Sequence, residues 1–165
     1  MVVMNRFREI RRKDRTLDNE AARYLLETGE YGFLSMCTPE GYGYGIPLNH
    51  VVEDDSIYFH CAPEGHKIDA IRANGRVSFC VVGQTQVIPG QFTTNYASVH
   101  VFGRITLVTD DEERLKALRL LVGKYSPDFQ EASGKYIARS FSRTAVLRLD
   151  IEHLSGKNKR IVPGL

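Results

Sequence analysis

The decisive stretch of the sequence is residues 31–61, YGFLSMCTPEGYGYGIPLNHVVEDDSIYFHC. Its apolar and polar side chains alternate with a period of two, and β-branched and aromatic residues are frequent, as in half-buried strands. Two turns interrupt the alternation: Pro39-Glu40-Gly41, where proline takes the second turn position, and Asp54-Asp55. The stretch therefore predicts three strands connected by turns, at residues 31–38, 42–53 and 56–61.

The flanking sequence adds further strands and a few helices. Residues 76–82, 96–108 and 144–151 continue the strand pattern, and a polar loop is predicted at residues 83–94. Apolar residues at helical spacing predict helices at residues 18–28 and 66–74, and a third from the capping box at residues 109–112 to about Gly123. Residues 126–134 carry no clear pattern, and residues 138–143 predict one helical turn.

These elements predict the architecture. About six strands joined mainly by hairpins, with three helices outside, indicate a mainly β fold: an antiparallel barrel, closed or partly closed. A chain of 165 residues is expected to form a single domain, 1–165, with a basic arm at 1–15 and a polar tail at 154–165. Six basic residues within 6–15 predict a solvated arm or, alternatively, one that packs on a partner subunit or a phosphate.

Composition limits the partners and the compartment. The net charge of +2 is too small to indicate nucleic-acid binding, and no apolar run approaches the ~20 residues of a membrane helix. Cys37, Cys61 and Cys80 fit no disulfide framework, and the N-terminus lacks the apolar stretch of a signal peptide. We therefore expect a cytoplasmic protein that binds neither nucleic acid nor a membrane.

The sequence gives little support to a dinucleotide-binding site or to a metal site. Gly41-Tyr42-Gly43-Tyr44-Gly45 resembles half of a dinucleotide-binding fingerprint, but Ile46 occupies the place of the third glycine and a strand pattern follows. His60, Cys61, Glu64 and His66 are metal-ligating residue types, yet no Cys-x-x-Cys pair accompanies them, so no metal is expected and a metal site remains a minor alternative.

The segment from His60 to Lys67, HCAPEGHK, is the best candidate for a binding site. A strand ends at His60, a loop follows, and a helix begins at His66-Lys67, where free backbone N–H groups and the positive end of the helix dipole favour an anion. Lys67 adds a full charge and His66 a hydrogen-bond donor. The segment predicts a phosphate site; the alternative is that Lys67 is an ordinary surface lysine.

A set of short motifs spans nearly the whole chain in a fixed order. They are RKDR at 12–15, GFLS at 32–35, IPLN at 46–49, IYFH at 57–60, GHKID at 65–69, YASV at 96–99, FG at 102–103 and LSGK at 154–157. Together they resemble the pyridoxamine 5′-phosphate oxidase-related group of FMN-binding split barrels, and within it the nitroimidazole-resistance, or Nim-type, branch. The resemblance implies an FMN-binding split β-barrel with the flavin at the interface of a homodimer; FAD or another flavin is the alternative cofactor.

The resemblance also implies which residues meet the cofactor. His66 and Lys67 would meet the phosphate, and a strand segment would present its backbone along one edge of the isoalloxazine ring. His60 would stand close to the ring as the catalytic residue. The full set of implied cofactor-binding residues is Pro47, Leu48, Asn49, His60, Cys61, His66, Lys67 and Ser98.

The implied activity is an FMN-dependent reduction of a small planar acceptor, as in a nitroimidazole reductase. Two departures separate this chain from the true oxidase: His66 stands where the oxidase has an arginine beside the phosphate lysine, and no Arg-x-His motif follows Asp150. We therefore expect an oxidoreductase that is not a pyridoxamine phosphate oxidase. The alternative is a flavin- or haem-binding module without turnover.

Overall fold

The structure, a computed structural model, describes residues 6–161. Within this range the chain forms eight β-strands and four α-helices. The strands are β1 (Thr16–Leu17), β2 (Gly32–Cys37), β3 (Gly43–Leu48), β4 (Val51–Glu53), β5 (Ser56–Cys61), β6 (Arg76–Ile88), β7 (Thr93–Leu107) and β8 (Ala145–Lys159). The helices are α1 (Asn19–Thr28), α2 (His66–Ala73), α3 (Asp111–Tyr125) and α4 (Gln130–Ser140).

All strand pairs are antiparallel and belong to one sheet. Its order is β3-β2-β6-β7-β8-β5-β4, and β1 pairs with the far part of β8. The two end strands, β3 and β4, are separated in sequence only by Asn49 and His50, so the sheet must curl until its edges approach each other. The mainly β, antiparallel split-barrel fold predicted from the sequence is confirmed, with more strands and one more helix than expected.

Two apolar clusters lie on opposite faces of β5 and β8. Phe59 and Leu147 point into the larger cluster, which α1 and α2 cover. Tyr58 and Val146, their neighbours in sequence, point into a smaller cluster beneath α3 and α4. Adjacent residues of a strand face opposite sides, so His60 lies on the α3–α4 side of β5, whereas Cys61 packs against the larger cluster.

The predicted loop at residues 83–94 is mostly strand. β6 continues to Ile88 and β7 begins at Thr93, and the two pair in register after an irregularity between Val82 and Thr85. This part of the hairpin is largely exposed on both faces, so it carries no apolar alternation that would reveal it. Only the tip, a 3-10 turn at Pro89–Gln91, interrupts the pairing.

Three other predicted boundaries are wrong for identifiable reasons. The strand expected at 42–53 breaks at Asn49-His50, where the chain passes from one sheet edge to the other. The last strand does not end at residue 151: β8 pairs with β7 as far as Lys159, so residues 154–159, half of the predicted polar tail, are strand. Asp110 rather than Thr109 caps α3, accepting the Glu113 amide at 2.8 Å.

The segment without a clear pattern contains a helix of its own. α4 covers Gln130–Ser140, and only Ile137 and Ser140 within it are buried, so its apolar face is too narrow to appear as a periodic signal. The turn predicted at 138–143 is the end of this helix followed by a 3-10 turn, Phe141–Arg143. The first helix is confirmed, with Asp18 accepting the Ala21 amide at 2.7 Å.

Candidate functional site

The start of α2 has the geometry of an anion site. β5 ends at Cys61, and after a short loop Gly65 takes the position before the helix with φ of +113°, a conformation that side chains rarely adopt. The Ile68 and Asp69 amides already donate to the Gly65 carbonyl. The His66 and Lys67 amides precede them in the first turn and have no acceptor within the helix.

Lys67 has no counter-ion among residues 6–161. No carboxylate within residues 6–161 forms an ion pair with it. A lysine at a helix N-terminus faces the positive end of the dipole, which costs about 0.3–1 kcal/mol. The position therefore carries uncompensated positive charge, and an anion bound there would relieve it.

Lys67 acts electrostatically on the last two residues of β5. The pKa of His60 is lowered, first because neighbouring protein atoms displace water from the imidazole and then because Lys67 repels a second positive charge. The pKa of the Cys61 thiol is raised by burial, an effect that Lys67 partly opposes by its charge and by a hydrogen bond. At neutral pH His60 is therefore an uncharged imidazole and Cys61 a thiol.

The edge strand β3 lies beside α2. The Tyr44 ring stacks on the His66 ring with centroids 4.6 Å apart. In the described part of the chain β3 pairs only with β2, so backbone groups on its other edge are open to a ligand. Pro47 sits on this edge strand, the position in a sheet where proline is tolerated, and Leu48 follows it.

Asn49 follows β3 and is held in place by hydrogen bonds. Its Nδ2 donates to the Glu30 carbonyl at 3.0 Å. The Tyr125 hydroxyl lies within hydrogen-bond distance of the Glu30 and His50 carbonyls, at 2.7 and 2.8 Å. Lys124 Nζ donates to the His50 carbonyl at 2.9 Å. The end of α3 thus fixes the link between the two edge strands, a role that the sequence pattern did not reveal.

Asn49 and His60 both open into a groove beneath α3 and α4, with a volume of about 460 Å³. Most of its wall comes from helices that are distant in sequence from β3 and β5, including Leu121, Phe129 and Tyr136. The groove could not be predicted because α4 itself was not recognised.

Ser98 does not join the other predicted site residues within one chain. It pairs with Lys157, whereas Cys61 pairs with Ala145, twelve residues away along β8. That is about 40 Å of strand. Ser98 instead lines a second cavity of about 520 Å³, together with arm residues such as Arg8 and Arg11.

The outward face of the sheet next to Ser98 is rich in exposed apolar side chains. Tyr31, Phe33 and Val82 are 50%, 45% and 53% exposed, and each alternates with buried neighbours. The arm packs here rather than being wholly solvated, since the Phe7 ring stacks on His153 at 4.9 Å and on Phe102 at 5.6 Å.

His50 is a structural residue. It is fully buried, and its Nε2 lies 2.7 Å from the Leu26 carbonyl. Burial lowers its pKa to about 4. Within residues 6–161, no three His, Cys, Asp or Glu side chains come together in a way that could hold a metal ion.

The curled antiparallel sheet is that of a split β-barrel. Beside its edge strand lies a helix start at which Lys67 has no carboxylate partner within residues 6–161. The family model described as pyridoxamine 5′-phosphate oxidase matches residues 18–158, so the chain belongs to this family. No curated protein matches the sequence.

Solved structures support the same fold. A proposed 5-nitroimidazole antibiotic resistance protein from Bacteroides thetaiotaomicron is 20% identical, with a TM-score of 0.72 over 86% of this chain and 85% of that one. The flavocytochrome Anf3 from Azotobacter vinelandii is 22% identical, with a TM-score of 0.76 over 96% and 76%. A FAD-binding protein from Mesorhizobium loti is 26% identical, with a TM-score of 0.59 over 88% and 97%.

An identity of 20% to the nitroimidazole-resistance structure does not single out the Nim-type branch. Among the described residues, no helix is long and apolar enough to span a bilayer.

Proposed function

We propose that the protein binds FMN at the start of α2 and uses it to reduce a small planar acceptor. The observation that carries the proposal is Lys67, a cation with no carboxylate partner among the described residues, placed where helix amides also favour an anion. A phosphate monoester matches both features. Membership in the pyridoxamine 5′-phosphate oxidase family supports the same ligand class.

The residues around this point fit a flavin mononucleotide. Lys67 and His66 would hold the phosphate, and the open edge of β3 at Pro47, Leu48 and Asn49 would lie along the ring. Cys61 would contact it from the end of β5. The bound flavin would supply the electron transfer, while the protein supplies placement and electrostatics.

His60 is the candidate catalytic residue. Its side chain lies at the mouth of the groove, within electrostatic reach of Lys67, and makes no hydrogen bond among residues 6–161. A neutral imidazole has one N–H donor and one acceptor nitrogen. The N–H would orient an acceptor molecule, and the free ring nitrogen would take up a proton from solvent that the resulting imidazolium passes to the acceptor, returning the ring to its neutral form.

The proposal includes a homodimer with the flavin at its interface. Ser98 and Cys61 pair with positions twelve residues apart along β8, and a second copy is one way to bring Ser98 to the flavin. The exposed apolar face containing Tyr31, Phe33 and Val82 would provide the isologous contact. We expect the dimer to work in the cytoplasm with small-molecule partners only.

A non-catalytic flavin- or haem-binding module is the second candidate. It is favoured by the absence of any carboxylate from the groove lining beside His60. Two of the similar structures are a flavocytochrome and an "FAD and Heme binding protein" from Mycobacterium smegmatis, which agrees with such a role. FAD in place of FMN is the corresponding alternative for the cofactor.

Two measurements on purified protein test the proposal. Saturating FMN, at about 100 times its Kd, should stabilise flavin-free protein by about 2.7 kcal/mol, or roughly 5–10 °C in Tm. NADH or NADPH should then bleach the visible absorption of the bound flavin, and an added nitroaromatic should restore it. A stable yellow complex that no reductant of this class bleaches would favour the non-catalytic module. Colourless protein with no FMN-dependent shift would contradict flavin binding.

A further inference from the structure

The groove beneath α3 and α4 has an unusual wall. It is concave, with a volume of about 460 Å³, within the range of small-molecule sites. Phe129 and Tyr136 on its rim are 68% and 69% exposed, although aromatic side chains of this size are normally covered. The remaining apolar wall is formed by Leu118, Leu121, Val122, Ala132 and Ile137.

The lining contains no acidic side chain, no lysine and no arginine. A second, larger cavity on the opposite side of α4, of about 720 Å³, does have charged lining residues, namely Asp111, Glu112 and Arg119. The two cavities share part of the same helices, so the lack of charge belongs to one side of α4 only.

Four of the six hydroxyl groups that line the groove donate to backbone carbonyls, whereas those of Ser126 and Tyr136 form no hydrogen bond within residues 6–161. Ser140 donates to the Tyr136 carbonyl at 2.9 Å, and Thr144 donates to the Ser140 carbonyl at 2.9 Å. Ser133 donates to the Gln130 carbonyl at 2.6 Å. These donors cannot solvate an anion without giving up existing bonds. A charged ligand would therefore lose water in the groove and gain little in return.

Besides the Ser126 and Tyr136 hydroxyls, two polar groups of the groove retain hydrogen-bonding capacity, those of Asn49 and His60. Asn49 binds the Glu30 carbonyl through Nδ2 and retains its amide oxygen as an acceptor. The His60 imidazole makes no hydrogen bond in the described part of the chain. Both groups also border the proposed flavin site, so a ligand lying in the groove would present one polar edge toward that site.

We propose that this groove binds an uncharged aromatic molecule, its ring against the Phe129 and Tyr136 side of the wall and its polar edge at His60 and Asn49. The role of this molecule as the electron acceptor rests on the proposed function, whereas its binding in the groove does not depend on that function. The chemistry excludes carboxylated, phosphorylated and ammonium-bearing aromatics as ligands of this groove.

Three probes of similar size and different charge test the specificity by equilibrium dialysis against purified protein. They are 4-nitrobenzyl alcohol, 4-nitrobenzoate and 4-nitrobenzylammonium. We expect the neutral alcohol to bind and both ions to bind at least about tenfold more weakly, since desolvating an unpaired charge is costly. Equal affinities, or tighter binding of either ion, would overturn the inference.

Two alanines of α4 provide matched variants that locate the binding. Ala132 lines only the uncharged groove and Ala138 only the charged cavity, and both are exposed, so neither substitution disturbs the core. Ala132→Asp should weaken binding of the alcohol by about tenfold or more, because a carboxylate then faces the ring. Ala138→Asp should leave it within about twofold. Equal behaviour of the two variants, with both folded by circular dichroism, would mean that the alcohol binds elsewhere.

The same dialysis with and without added FMN separates this inference from the proposed function. Neutral-probe binding that is lost in Ala132→Asp but occurs without any FMN binding would uphold the groove and contradict the flavoprotein. FMN binding without any preference for the neutral probe would support the flavoprotein and contradict the proposed specificity of the groove. Burial of the groove in a dimer would appear as no probe binding at all, which would also overturn the inference.

Discussion

The start of α2 and the groove beneath α3 and α4 meet at His60 but differ in charge. At the helix start, Lys67 lacks a carboxylate partner among residues 6–161, and free amides add to its positive potential. In the groove, the described lining residues include no acid, lysine or arginine, and four of the six hydroxyls donate to backbone carbonyls. In the proposed arrangement, charge is confined to one side of the end of β5, so that an anionic group and an uncharged ring would bind next to each other.

The largest expected effect comes from the residue that the two regions share. His60→Ala should reduce acceptor turnover by ~10²-fold or more, since this is the usual contribution of a positioned proton donor. FMN affinity should change by less than about threefold, because the phosphate contacts remain. Steady-state reduction of a nitroaromatic and an FMN titration on the same sample measure both quantities. A parallel loss of both would mean that the two regions are not functionally distinct.

Lys67→Ala tests the charged region alone. A hydrogen bond to a charged group contributes about 1.5–3 kcal/mol, so FMN should bind roughly 10- to 150-fold more weakly. Turnover at saturating FMN should largely recover, because Lys67 acts on binding rather than on the acceptor. Arg72→Ala, at the other end of the same helix, is the matched control and should stay within about twofold in FMN affinity. Similar losses of FMN affinity in both variants would mean that the net positive charge of the helix, and not a contact of Lys67, favours FMN binding.

These two variants bear on what the sequence could predict. The charged region consists of the eight consecutive residues 60–67. The end of a strand, a loop and the start of a helix could therefore be recognised together, and α2 begins at His66 as expected. The groove depends on packing between β5, α3 and α4. Because α4 buries only Ile137 and Ser140, its helical periodicity is weak and the wall it forms could not be seen.

Fold prediction failed for similar reasons at the long hairpin and at the last strand. The outer parts of β6 and β7 are exposed on both faces, and the end of β8 carries polar residues although it is fully paired. Cross-strand hydrogen bonds stabilise such segments without an apolar pattern. The position of Ser98 relative to Lys67 also depends on the register of the sheet, which a sequence pattern does not report.

A third region, the outward face of the sheet next to Ser98, is expected to contact a second copy of the chain. Val82→Glu places a charge on this face and should convert the dimer to a monomer, because an unpaired charge in an apolar contact is strongly unfavourable. Val82→Thr, which keeps the β-branched shape, should remain largely dimeric. Light scattering at micromolar protein distinguishes a dimer from the 18.7 kDa monomer. A wild-type monomer with flavin bound would contradict the shared site.

The smallest effect on ligand binding is expected at the buried His50, whose titration acts on the stability of the fold instead. His50 has a pKa of about 4 in the fold against 6.5 as the ordinary value, so the unfolded chain takes up protons first. Its contribution to stability is therefore complete above pH 6.5 and falls as the pH drops toward 4, by about 3 kcal/mol in total. Thermal unfolding of wild type and His50→Gln between pH 7.5 and 4.5 measures this. A glutamine variant with the same pH dependence as wild type would assign the loss to other groups.

The central claim is that the start of α2 holds the phosphate of a flavin. Titration of flavin-free wild-type protein with FMN and with riboflavin, followed by flavin fluorescence, tests it most directly because the two ligands differ only in the phosphate. The account predicts saturable FMN binding and riboflavin binding that is about tenfold or more weaker, with the difference largely abolished in Lys67→Ala. Equal binding of both flavins by the wild type, or no binding of either, would contradict it.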